Sequence, residues 1–87
     1  MADENKFNVK RLIGKTVVSK SGKRFGEVGD IDFEVRTGEL ISIIIRNPTG
    51  YAEGLELERN KSNQILIPFS SVVATGDFVV VAEEDII

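Results

Sequence analysis

The stretch Asp30-Ile31-Asp32-Phe33-Glu34-Val35-Arg36-Thr37-Gly38-Glu39-Leu40-Ile41-Ser42-Ile43-Ile44-Ile45 decides the fold class. In its first half Ile31, Phe33 and Val35 alternate with Asp30, Asp32, Glu34 and Arg36. Successive side chains of a strand point to opposite faces, so the alternation predicts a strand with one apolar and one wet face. Thr37-Gly38 then predicts a hairpin turn. In the second half Ile41, Ile43 and Ile45 share one face, and Leu40, Ser42, Ile44 and Arg46 share the other. That strand is apolar on one side and partly apolar on the second. Either both faces are covered within the fold, or Leu40 and Ile44 meet a partner.

Upstream, the same strand reaches back to Phe25, but its phase slips. Val28 falls on the parity of Asp30, not of Ile31, and Gly26 and Gly29 flank the slip. A β-bulge at this point would bend the strand and help a sheet curl into a barrel. Residues 15–20 are predicted as the first strand, 25–36 as the second and 39–46 as the third. Gly22 supplies a positive φ for the turn at Ser21-Gly22-Lys23. Residues 47–63 read as a long connection of turn formers carrying the alternating piece Leu55-Glu56-Leu57-Glu58. Residues 64–67 are a fourth strand ended by Pro68, which cannot donate to a ladder. A helical turn over 69–72 and a hairpin, 73–75 into 78–82 through Gly76-Asp77, close the fold. The apolar residues are mostly β-branched, which suits a pleated surface better than a helix. Residues 1–10 are expected to form a flexible N-terminal arm, 11–82 the folded domain and 83–87 a tail.

Composition narrows the function. At 87 residues the chain is one domain, and so short a chain buries only roughly 60% of its unfolded surface. It has no cysteine, hence no disulfide and no thiolate zinc site, and no histidine, the commonest general base and metal ligand. Small domains without such staples often gain stability by oligomerising. The formal charge is −3, with the basic residues scattered except for Lys6, Lys10, Arg11 and Lys15 near the start. This opposes nucleic-acid binding, which asks for a basic patch. The start is polar, without the apolar core of a leader, and no run approaches the ~20 apolar residues of a membrane helix. A cytoplasmic location without membrane insertion is expected.

No nucleophile–base pair with His or Cys can be assembled, and no glycine-rich loop precedes a helix to cradle phosphate. The chain is therefore read as no enzyme and as using no cofactor. Asp30, Asp32 and Glu34 put three carboxylates on one strand face, but same-side residues stand ~6.6 Å apart along a strand, too extended to wrap one cation. They are read as the wet side of the strand. The apolar surplus is more telling. Leu40, Ile44, Leu55, Leu57, Ile86 and Ile87 do not all fit easily inside one small barrel, and exposed apolar patches mark interaction sites. They either form a partner surface or are covered by the long connection folding back.

Several stretches also resemble a known family. Leu12-Ile13-Gly14-Lys15-x-Val17, then Ser21-Gly22-Lys23-x-x-Gly26-x-Val28-x-Asp30, is similar to the opening of the PRC-barrel family, named for the photosynthetic reaction centre. Ile65-x-Ile67-Pro68-Phe69-x-x-Val72, with Gly76-Asp77-x-Val79, resembles its ending, and Gly50-Tyr51-Ala52-Glu53-Gly54-Leu55-Glu56-Leu57 resembles its archaeal stand-alone members. The resemblance implies a closed or partly open all-β barrel of five to six short antiparallel strands that serves as a protein-binding adaptor. It implies dimerisation, with a copy or with a paralogous PRC-barrel protein, and a link to the membrane anchor of the tubulin-like division ring in archaeal cell division, so that the chain would be recruited to the division site. Tyr51 joins Leu40, Ile44, Leu55, Leu57, Ile86 and Ile87 as a candidate partner contact. The alternative the resemblance offers is a ribosome- or RNA-processing-associated module, like the barrel of a bacterial ribosome-maturation factor.

Overall fold

The computed structural model describes residues 9–86; the expected N-terminal arm falls mostly outside that range, and Ile87 lies outside it. Six strands form one sheet: β1 (Thr16–Ser19), β2 (Arg24–Phe33), β3 (Leu40–Arg46), β4 (Leu66–Pro68), β5 (Val72–Thr75) and β6 (Phe78–Val81), with one short helix, α1 (Gly50–Glu53). The order across the sheet is β4-β3-β2-β1-β6-β5. The expected all-β architecture is present, with one correction to the strand directions. β1 and β6 run parallel, Val17 facing Val79, while every other neighbouring pair is antiparallel.

The connectivity forces the sheet to curl. β4 and β5 stand at its two ends, yet only a 3-10 turn, Phe69–Ser71, joins them. In a flat sheet five strand spacings would separate them by ~24 Å. The four residue steps from Pro68 to Val72 reach at most ~14 Å. No ladder joins β4 to β5 among the described residues, so the result is a partly open barrel.

Bulges steer the curl. Gly29 of β2 is the extra residue between the pairs Val28–Ile45 and Asp30–Ile44. That is the slip visible in the sequence, and it lets Val28 and Ile31 both face inward. Gly26 has φ +144, and a Cβ there would lie 2.7 Å from Ile45 Cγ2 and 2.9 Å from the Arg46 carbonyl oxygen. Only glycine lets β2 approach β3 so closely. Three further bulges, at Phe25 of β2 against β1, Ile41 of β3 and Val73 of β5, have a non-glycine residue as the extra one.

Inside the curl lie Val17, Phe25, Val28, Ile31, Ile43, Ile45, Ile67, Val79 and Val81, with Leu12, Ala52 and Ile65 completing the core. The helix α1 was expected as loop. Thr49 starts it: its hydroxyl accepts from the Ala52 amide (3.2 Å) and donates to the Arg24 carbonyl (2.7 Å), so the cap also pins the helix to β2. Ala52 is thereby sealed into the core, and Tyr51 meets Phe25 edge-on at 5.6 Å between ring centres.

Two predicted faces are corrected. The second strand ends at Phe33, not at residue 36, and Phe33 and Val35 are exposed instead of lining the core. The chain turns early because the Glu34 amide donates to the Glu39 carbonyl and the Gly38 amide to the Glu34 carbonyl, both at 2.7 Å. Ile41 also faces solvent while its neighbour Ser42 is buried, because the bulge at Ile41 reverses the phase.

Candidate functional site

The strands differ in length, and this creates the site. β1 has four residues and β2 ten. β1 pairs with β2 only through Glu27, and two more backbone bonds extend the seam, Val28 to the Lys15 carbonyl (2.9 Å) and Gly14 to the Val28 carbonyl (2.7 Å). On the other side β4 pairs with β3 from Ser42 to Ile44. On the β1 side residues 30–33 of β2 therefore have no neighbouring strand among the described residues; residues 30–32 still connect through Ser42–Ile44 of β3 to β4, and Phe33, the turn and residues 40–41 of β3 overhang as a two-stranded ribbon.

The ribbon carries three of the exposed large apolar side chains. Phe33 is 52% exposed, Val35 87% and Ile41 49%. Ile31 and Ile43, paired across the strands, close the core at the ribbon's root. Phe33 pairs with Leu40 one step outward, so the core face continues into solvent along the ribbon. Asp30 and Asp32 are exposed, two residues apart on the opposite face of β2. The Ile31 amide donates to Asp30 Oδ1 at 2.8 Å, and the Arg36 amide to Glu34 Oε2 at 3.4 Å. No group of three acidic side chains among the described residues is placed to hold a cation.

Of the residues singled out from sequence, Leu40 lies on the ribbon and the other described ones lie elsewhere. Leu40, Tyr51, Leu55, Leu57 and Ile86 are half-buried and pack against the core, so the long connection and the C-terminal segment do fold back over the barrel. Ile44 is half-buried and lines a groove of about 380 Å³ with Arg46, Asn47, Arg59 and Asn63. Both arginines there are engaged, Arg46 with Glu27 (3.3 Å) and Arg59 with Glu53 (3.0 Å). Phe33, Val35 and Ile41 were missed as exposed residues. The signal that could have found them is the mismatch between a six-residue first run and a twelve-residue second run, which leaves half of the longer strand without a neighbour.

A polar cluster secures the C-terminal end. Glu83 accepts from the Ser21 hydroxyl at 2.7 Å, and Tyr51 Oη reaches its other oxygen at 3.5 Å. The hydroxyls of Ser19 and then Ser21 hold its carboxyl below the usual range. Lys20 donates to Glu84 at 3.0 Å, which raises the lysine and lowers the glutamate. These bonds tie the turn Glu83–Asp85 to the β1–β2 connection. Among the described residues no helix is long and apolar enough to cross a membrane.

A curled six-stranded sheet, plugged by a short helix and overhung by one ribbon, defines the class: a small, partly open β-barrel. The profile of the PRC-barrel domain matches residues 4–85, and the chain belongs to that family. It is 31% identical over 81 residues to the uncharacterized protein MJ1118 of Methanocaldococcus jannaschii, covering 93% of this chain and 86% of that protein. It is 30% identical over 80 residues to the probable sporulation protein YlmC of Bacillus subtilis, covering 92% and 89%.

Proposed function

We propose that the chain is a non-enzymatic protein-binding adaptor of cell division. It dimerises with a copy or with a related PRC-barrel protein and links that pair to the membrane anchor of the division ring, acting in the cytoplasm at the division site. The observation that carries the binding role is the ribbon, where Phe33, Val35 and Ile41 stand in solvent on one hairpin; Ile13, Val73 and Phe78 are the other exposed large apolar side chains among the described residues. Self-association has a separate candidate edge in β5, whose residues Val72, Val73, Ala74 and Thr75 bear no charge and whose Val73 is 54% exposed. Two copies could pair there without opposing like charges. The division role is supported by membership of a family whose archaeal stand-alone members it resembles.

The test is imaging of a fluorescent fusion in the native cell, beside the double variant Phe33→Asp, Val35→Asp. The parent is expected at the division plane and the folded variant spread through the cell. Parent protein that is diffuse throughout the cycle, with normal division after deletion of the gene, overturns the division role. Light scattering against the 9.6 kDa monomer mass reads dimerisation; a monomer at all concentrations removes the homodimer.

A further inference from the structure

We infer that the free edge of β2 on the ribbon is a docking strand for an extended protein segment in which basic and apolar residues alternate. The inference rests on the adaptor role proposed above and names the chemistry of the partner.

The backbone pattern shows which groups are on offer. Along an antiparallel strand, alternate residues direct both backbone groups to the same neighbour. Val28 bonds outward, to Lys15 and Gly14. Gly29 is the bulge, which resets the alternation. Ile31 donates to the side chain of Asp30, so its amide is turned from β3. Glu34, three residues on, donates to Glu39 across the ribbon. Ile31 and Phe33 are thus the residues whose backbone groups face the free edge, and they match the pattern of a strand awaiting a neighbour.

The side chains select the neighbour. Residues directly opposite in a sheet share a face. A strand added beside β2 would set one row of its side chains along Ile31 and Phe33 and the other along Asp30 and Asp32. The first row must be apolar, because Phe33 is half out in water. The second must be basic, because both aspartates are exposed and, among the described residues, the one hydrogen bond to either is that from the Ile31 amide. On docking, a partner carbonyl replaces Asp30 Oδ1 on the Ile31 amide, and a partner Lys or Arg takes up the freed carboxylate. Until then Asp30 satisfies the amide locally, which blunts the edge against indiscriminate pairing.

The same charges exclude a second copy. Antiparallel self-pairing that keeps apolar faces together sets Asp32 opposite Asp32, or Asp30 opposite Asp32. Like charges directly opposite are destabilising, so this edge takes a different chain, whereas the uncharged β5 edge carries no such bar.

The experiment titrates the full 87-residue chain, isotope-labelled, with the synthetic peptide Lys-Val-Lys-Val-Lys-Val-Lys. Heptalysine and the corresponding Glu-Val peptide serve as controls. Amide shifts centred on residues 30–33 and slowed exchange at Ile31 and Phe33 are expected. Asp30→Lys with Asp32→Lys should weaken the Lys-Val peptide about tenfold or more and reverse the preference toward Glu-Val, from two cross-strand pairs turned from attractive to repulsive. The milder Asp30→Asn with Asp32→Asn should weaken binding without reversal, and circular dichroism checks that each variant is folded. Equal binding of heptalysine, shifts centred elsewhere, or indifference to both double variants overturns the proposal. Failure here with the parent still at the division plane overturns the strand chemistry alone; failure in both removes the adaptor reading as well.

Discussion

Replacing Gly26 by alanine should cost the barrel about 3 kcal/mol. Two effects add. At φ +144 the residue occupies a backbone region that L side chains rarely adopt, and left-handed backbone costs roughly 1–2 kcal/mol for a residue with a Cβ. The added methyl would also stand 2.7 Å from Ile45 Cγ2, 2.9 Å from the Arg46 carbonyl oxygen and 3.1 Å from that of Asn47. Two of these neighbours are backbone atoms of the adjoining strand and its exit, which cannot rotate away, and overpacking of this kind costs roughly 1–3 kcal/mol. The stiffer unfolded chain returns about 0.4–1 kcal/mol. A domain of this size has about 4–13 kcal/mol in all, so the variant should fold but melt ~12–24 °C lower, at ~4–8 °C per kcal/mol. Gly22→Ala is the control. Gly22 also has a positive φ, +93, but nothing lies within 4 Å of its would-be Cβ, so only the conformational cost, about 1 kcal/mol, applies. Urea unfolding followed by circular dichroism, with the slope checked for constancy, reads both. A Gly26→Ala variant no less stable than Gly22→Ala would refute the close approach of β2 to β3 as the reason for the glycine.

Thr49→Ala removes both the cap of α1 and the bond to Arg24, and should lower stability by about 1–2 kcal/mol in the same assay. Val35→Asp should change stability by less than about 0.5 kcal/mol, because its side chain is 87% exposed, and Phe33→Asp should cost about 1 kcal/mol, because Phe33 is half exposed; a melt that collapses would show that the ribbon packs on the barrel. Stability should also depend on pH at both ends. Glu83 and Glu84 are held below their unfolded value of 4.5, so the unfolded chain binds more protons in that range. Their contribution is present above pH 4.5 and is lost as pH falls through the lower folded values. Lys20 is raised above 10.5, so its contribution is present below pH 10.5 and is lost as pH rises through the folded value. Glu83→Gln should therefore be less stable than the parent near neutrality and converge with it in acid; thermal melts from pH 7 to 3 that stay a constant distance apart would contradict this.

What the sequence made legible was local. The strand around Ile31, its hairpin with β3 and the bulge at Gly29 are all written in runs of a few residues, in alternation and in a glycine at the point of slip. The parallel pairing of β1 with β6 joins residues about sixty apart, and no local pattern announces it. The bulges at Ile41 and Val73 are equally hidden, since a β-branched residue there reads as one more strand position. For the site the difficulty was of another kind. Counting apolar residues pointed to Leu40, Ile44, Leu55, Leu57, Ile86 and Ile87 as a surplus, whereas Leu40, Leu55, Leu57 and Ile86 pack against the core. It could not distinguish side chains that lid the barrel, as Leu55, Leu57 and Ile86 do, from side chains left in water, because both alternate with charges. Strand lengths separate the two, and lengths are the least certain part of any sequence-based boundary.

The overhang is also what the barrel's own economy would have removed were it idle. An isolated two-stranded ribbon is marginal in water, and here it keeps Phe33, Val35 and Ile41 exposed while Ile31 and Ile43 anchor its root and Leu40 is its one side chain packed on the core among the described residues. Shortening β2 and β3 by a few residues would leave the described core intact, because no fully enclosed side chain lies beyond Ile31 on β2 or before Ser42 on β3. The ribbon therefore contributes little to holding the barrel together. Its charges are arranged as an edge that must avoid its own copies while remaining open to another chain: carboxylates on one face, apolar side chains on the other, and an amide capped by its neighbour. A purely structural hairpin needs the turn and the pairing with β3, but it has no use for that combination on its outer side.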